Sequence, residues 1–167
     1  SNAGASNIIR RNLSNDGTLS GVLNIAANVV IDGGKSLTLN TSNNALIDDS
    51  VKISAKDIAV DSGKIAFGQA GEDFQGFTIS NKALAQFENA EHIRLRSYNS
   101  IDFFGDVSIT NAKQLTLSTA SFNNHGGNVN INANQLTLSN ELQAQPFDNS
   151  NSATGSLAVN TNKLIIG

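Results

Sequence analysis

The sequence predicts an all-β fold, a right-handed parallel β-helix with three short strands in each coil of about 21 residues, and three observations predict it. The octet NAKQLTLS at 111–118 returns 21 residues later as NANQLTLS at 132–139. Short segments throughout the chain are apolar at alternate positions, the period of a strand with one buried face. Between them stand clusters of Asn, Asp, Ser and Gly, as in SNN at 42–44, DSG at 61–63 and NNHGG at 123–127, residues that tolerate the left-handed backbone of tight corners.

Aligned on the octet, one strand recurs as Leu37–Leu39, Ile58–Val60, Ile93–Leu95, Leu115–Leu117, Leu136–Leu138 and Leu164–Ile166. A second precedes the later five, at Val51–Ile53, Phe77–Ile79, Val107–Ile109, Val129–Ile131 and Leu157–Val159. A third, weaker strand follows, at Ala45–Ile47, Lys64–Phe67, Ile101–Phe103, Ala120–Phe122 and Glu141–Gln143. Helices are excluded for most of the chain, because apolar residues do not recur three and four apart and Asn, Thr and Gly interrupt each window. One coil cannot bury its apolar side alone, so each strand must pair in parallel with its equivalent in the next coil, about 4.8 Å away. About seven coils make a rod roughly 30–35 Å long, and right-handedness follows the general rule for parallel crossovers.

Two intervals carry insertions, at about 68–92 and 143–156. In the first, a short helix is expected near 81–90, with Asn81 as its cap and Leu84 and Phe87 on one face; an added strand ALAQF is the alternative. The second holds the only proline, Pro146, and reads as an exposed loop. Ser1-Asn2-Ala3 reads as the remnant of a cleaved expression tag, so residues 4–167 are expected to be a single β-helix segment of a longer protein.

Composition limits function. The chain has 167 residues, 8 Phe, 1 Tyr, no Trp and no Met, so small aliphatics must fill the core. A net charge of −3 without a dense Lys/Arg cluster argues against nucleic acid, and no apolar run approaches the ~18 residues of a membrane helix. With no cysteine, disulfide scaffolds, thiol catalysis and Cys-based zinc sites are excluded together.

The stretch IRLRSYNSIDFFGDVSI at 93–109 and the pattern GGNVNINANQLTLSN at 126–140 resemble the repeat region of filamentous-haemagglutinin-like large exoproteins of Gram-negative bacteria, over most of residues 20–167. The resemblance implies export by two-partner secretion through an outer-membrane barrel partner, location outside the cell or on its surface, and a role in adhesion, haem acquisition or contact-dependent toxin delivery. It implies a host-cell or bacterial-surface receptor or glycan as partner. The NPNL and NPNG motifs of the family's secretion domain are missing, so the segment reads as shaft.

Register gives the strongest polar group. With Ile58, Val60, Ile93 and Leu95 inward, Asp57 and Asp61 face outward beside His92, Arg94 and Arg96 in the next coil. As structure, these are exposed cross-strand ion pairs, Asp57 with His92 and Asp61 with Arg96. As chemistry, they would form the groove of a β-helical polysaccharide lyase, with carboxylates on Ca²⁺ and a basic residue taking a proton. The structural reading is preferred, since acid–base sites are usually buried enough to tune their pKa. Arg94 is assigned no partner and is the first candidate ligand contact. Phe74, Gln75, Phe147 and Asp148, on the two insertions, are the others, because binding residues on repeat folds gather where regularity breaks; the bland alternative is that the phenylalanines cover the flank.

Other motifs carry less. GGKS at 33–36 lacks the leading glycine of a phosphate loop, position 29 being Val, and precedes a strand. His125 reads as a lone corner residue without further metal ligands. Asp48-Asp49 and Glu72-Asp73 lack the alternating ligands of a calcium loop. No catalytic, cofactor or metal residue is expected. Leu164-Ile165-Ile166 should lie at an open coil end that stacks on another molecule or is covered by flanking chain, with residues 4–20 as cover at the opposite end.

Overall fold

The structure, a computed structural model, describes residues 6–10, 22–87, 89–145 and 155–167. It is nearly all β, and its strands join in one sheet by parallel pairing. In chain order these are β1 (Ser6–Arg10), β2 (Leu23–Ile25), β3 (Val30–Thr41), β4 (Ala45–Ile47), β5 (Lys52–Gly68) and β6 (Phe77–Ile79). A helix, α1 (Asn81–Ala85), follows, then β7 (His92–Phe104), β8 (Val107–Ser118), β9 (Ser121–Asn124), β10 (Gly127–Ser139) and β11 (Gly155–Ile166).

The octet strand pairs as the sequence reading expects. Leu37, Ile58, Ile93, Leu115, Leu136 and Leu164 form one column of directly opposed residues, from β3 through β5, β7, β8 and β10 to β11. Leu39, Val60, Leu95, Leu117, Leu138 and Ile166 form the next inward column. All but Leu138 and the β11 residue that ends each column, Leu164 and Ile166, are buried, and each buried aliphatic side chain contributes roughly 1.5–3 kcal/mol. Phe67 and Phe103 stack in the same way one corner further on, ring centroids 5.4 Å apart.

Three expectations need correction. In β3, β5, β7, β8, β10 and β11 the expected short strands run together into strands of 12 to 17 residues, because pairing continues through one-residue irregularities. Such shifts lie between Asp32 and Gly34, Ser62 and Lys64, and Ala133 and Gln135. No strand forms at Glu141–Gln143; the chain turns there, with Gln143 at φ 50°. Phe77–Ile79 does not belong with Val51–Ile53 and Val107–Ile109. It opposes Ile65–Phe67 instead, since α1 stands between it and β7.

The helix exists but spans only Asn81–Ala85, so Phe87, expected on one face with Leu84, lies in the turn beyond it. Its cap is Ser80, whose hydroxyl accepts the Ala83 N–H at 3.1 Å, while Asn81 turns its amide to the Asp106 carbonyl at 3.2 Å. Ala83 and Leu84 are buried, and α1 packs against β5, β6 and β8. It thereby occupies the gap between the first part of β5 and the first part of β8, where neither strand has a pairing partner on that side among the described residues. Helix therefore meets sheet along a seam at Asn81, Asp106 and Ser108.

At the N-terminal end, β1 lies in register on Ser36–Asn40 of β3, so part of the expected cover is an added strand. Residues 4, 5 and 11–20 of that cover lie outside the described residues.

Candidate functional site

Two polar groups stand out, one on a flat sheet face and one at a corner. On the face, outward positions alternate with the buried columns, so Asp57 opposes His92 and Asp61 opposes Arg96. The His92 Nδ1 and Asp57 Oδ1 atoms are 2.6 Å apart, and Arg96 Nε donates to Asp61 Oδ1 at 2.8 Å. Both predicted pairs are present.

Two parts of that prediction are corrected. Asp61 is not exposed: its side chain is only 5% accessible, because two arginines lie over it. Arg94 is not without a partner. It reaches Asp61 at 3.5 Å and Glu141 at 3.8 Å, and Arg96 also meets Glu141 at 3.8 Å. Glu141 arrives from the turn after β10, which the sequence reading treats as strand. Over the neighbouring Ala59, a small side chain between Thr38 and Arg94 in its outward column, lies an open hollow of about 280 Å³ bordered also by Asp57, His92 and Thr116.

Near the end of β7, beside the corner after β9, Asp102 is buried and accepts three bonds. Ser100 Oγ donates at 2.5 Å, Asn123 Nδ2 at 3.0 Å, and His125 Nε2 lies at 2.8 Å. Against an ionised carboxylate that nitrogen carries the proton. The imidazole lies flat on Phe104, centroids 4.2 Å apart and planes 2° from parallel, and Phe74 meets the same Phe104 edge-on at 5.7 Å. His125 is therefore not a lone residue but a ring fixed on two sides. Ser100 donates to Asp102 rather than to His125, so these three groups hold an imidazole in place and do not activate a hydroxyl.

Glycines let this corner stack. A Cβ on Gly68, at φ 87°, would fall 2.2 Å from the Phe104 carbonyl oxygen, and one on Gly127, at φ 99°, 2.3 Å from the Gly105 carbonyl carbon. Only hydrogen fits at both.

The remaining candidates are placed as follows. Phe74 is half-buried on Phe104, in keeping with flank cover, and Gln75 is exposed. Phe147 and Asp148 lie outside the described residues. GGKS runs inside β3. Asp48 is held below the ordinary carboxylate range by the Ser50 hydroxyl and N–H, which closes a local turn. Among the described residues no three His, Asp, Glu or Cys side chains gather as metal ligands, and no helix is long and apolar enough to cross a membrane.

Comparison with known proteins finds no matching family model, no matching curated protein and no matching solved structure.

Proposed function

We propose that the chain is a right-handed parallel β-helix and forms a shaft segment of a secreted, surface-associated exoprotein of the filamentous-haemagglutinin-like kind, serving adhesion or haem acquisition. The observation that carries this is the unbroken inward column from Leu37 to Leu164 across six parallel strands. A stack of that kind lengthens by repetition and keeps its cross-section, which is what a spacer between a cell surface and a distant receptor requires. The β11 edge, with Leu157, Leu164 and Ile166 exposed, suits the addition of further layers or end-to-end association of the isolated chain.

Antibodies raised against the purified chain test the placement. They should label intact cells that express the parent protein; labelling only after permeabilisation would overturn it. Small-angle scattering of the chain should in parallel give a rod of constant cross-section.

The gathering of Asp57, Asp61, His92, Arg94 and Arg96 on one face favours a second reading, a β-helical polysaccharide lyase. Incubation with polyuronides and Ca²⁺ decides between them: unsaturated product absorbing in the ultraviolet, lost in His92→Ala and Arg94→Ala, would establish the enzyme.

A further inference from the structure

The seam where α1 replaces a strand opens two adjoining hollows. One, of about 420 Å³, is lined by Gln69, Asn81, Phe104, Gly105, Asp106 and His125; the other, of about 430 Å³, continues from Asn81 and Asp106 past Ser108 to Asn128 and Asn130. We infer that this seam is a binding groove for an uncharged oligosaccharide, with the Phe104–His125 stack as its aromatic wall and the Asn81, Asp106 and Asn128 side chains as its hydrogen-bonding rail.

The chemistry of the lining selects the ligand class. Sugars present apolar C–H faces and rings of hydroxyls, so they are taken by flat aromatic surface next to amides and carboxylates that both donate and accept. Here the aromatic wall lies at one end and the amide groups at the other. Phosphates, nucleotides and acidic sugars need cationic donors. Neither Lys nor Arg lines either hollow, and the Asp106 carboxylate would repel an anion.

The groups are also held in place before any ligand arrives, which lowers the ordering cost of binding. His125 is fixed by the buried Asp102 below it and by Phe104 beside it. Asp106 Oδ1 accepts from the Asn128 backbone N–H at 2.7 Å and from its Nδ2 at 3.2 Å, while Ser156 Oγ donates to Asn128 Oδ1 at 2.8 Å. Asn81 is tied to the Asp106 carbonyl at 3.2 Å. The groove is open rather than enclosed, so several sugar units can lie along it. It would bind sugar whichever protein the chain belongs to, and so stands apart from the shaft proposal.

The test uses the purified 167-residue chain on an array of neutral glucan, mannan, galactan and N-acetylglucosamine oligomers beside sialylated and uronic-acid oligomers at equal density. Binding to at least one neutral series is expected, weakened roughly tenfold or more by Asn81→Ala and by His125→Ala and unchanged by Arg94→Ala, which lines neither hollow. Because His125→Ala removes a partner of Asp102, Asn130→Ala on the exposed rim of the groove is the second binding variant: it should weaken binding while melting with the parent chain, and thermal melting is run on all four. Binding to acidic oligomers alone, binding lost in Arg94→Ala but kept in the groove variants, or no binding to any oligomer would each overturn the inference.

Discussion

β10 and β11 are written alike and fare differently. Both place aliphatic residues at matching inward positions, Val129 beside Leu157 and Leu136 beside Leu164. In β10 these are 1% and 0% exposed; in β11 the corresponding values are 57% and 49%. The difference is the neighbour. β10 lies between β8 and β11, whereas β11 has a partner on one side only among the described residues. Burial of an inward residue in this parallel sheet is supplied by the adjacent strand, not by the strand's own pattern. The comparison is broken most directly by charge: Leu136→Asp should place an unpaired carboxylate among apolar side chains and cost at least about 4 kcal/mol, while Leu164→Asp should cost less than about 1 kcal/mol. Urea unfolding of both variants measures this, and equal losses would mean that β11 is covered in solution. Thr137→Asp, one residue from Leu136 on the outward side, should behave like Leu164→Asp.

A second contrast separates two corner glycines. Gly127 has backbone against its missing side chain, whereas a Cβ on Gly105, at φ 74°, would meet nothing within 4 Å. Gly105→Ala therefore carries only the left-handed backbone cost, about 1 kcal/mol. Gly127→Ala adds a clash with the next layer's main chain and should lose roughly 2–3 kcal/mol. The same unfolding titrations read both, and the larger loss should come with weakened stacking of His125 on Phe104.

How much of this is legible in the sequence follows from what each feature depends on. The inward columns and the Asp57–His92 and Asp61–Arg96 pairs depend only on strand period and register, and the recurring apolar pair supplies both, even across the 35-residue step that joins these partners. The burial of Asp61 comes with Arg94 and Arg96 both reaching it, and Glu141, which meets both arginines, sits on a turn whose path no periodicity describes. The Asp102–His125 bond joins β7 to a corner after β9, so it appears only once the corner glycines set how layers superpose. One signal is the stretch IDFF at 101–104, where Asp102 is the one polar residue among apolar ones, since a carboxylate buried there needs partners. Phe77–Ile79 is misplaced by pattern alone because FTI fits either column. The intervening helix, not the strand's own letters, decides between them.

Charge on the flat face gives a smaller, graded effect. Asp61→Asn removes the carboxylate that separates two guanidinium groups and should cost roughly 2–3 kcal/mol, since one partner of a largely buried pair is lost. Asp57→Asn, at a pair with both side chains accessible, should cost about 0–1 kcal/mol. Raising the salt concentration should narrow the second loss more than the first, and thermal melts at two ionic strengths would show it.

The smallest effect concerns the one letter by which the two octets differ. Lys113 in β8 bonds Glu91 at 3.0 Å, whereas its counterpart Asn134 in β10 accepts from the Asn162 amide at 2.8 Å. The Lys113 hydrogen bond and charge hold the Glu91 carboxyl below its ordinary value of 4.5, with Lys56 and His92 adding to the same direction. A carboxyl whose pKa is lowered by folding contributes stability that is complete above its unfolded pKa and is lost as pH falls through the folded one. Glu91→Gln should therefore lower the melting temperature slightly at pH 7, and the gap from the parent chain should close as pH drops below about 4. Asn134→Ala removes an amide pair that does not titrate, so its small loss should stay constant across the same range. A gap for Glu91→Gln that persists unchanged into acid would mean that Glu91 acts in this layer by packing and not by charge.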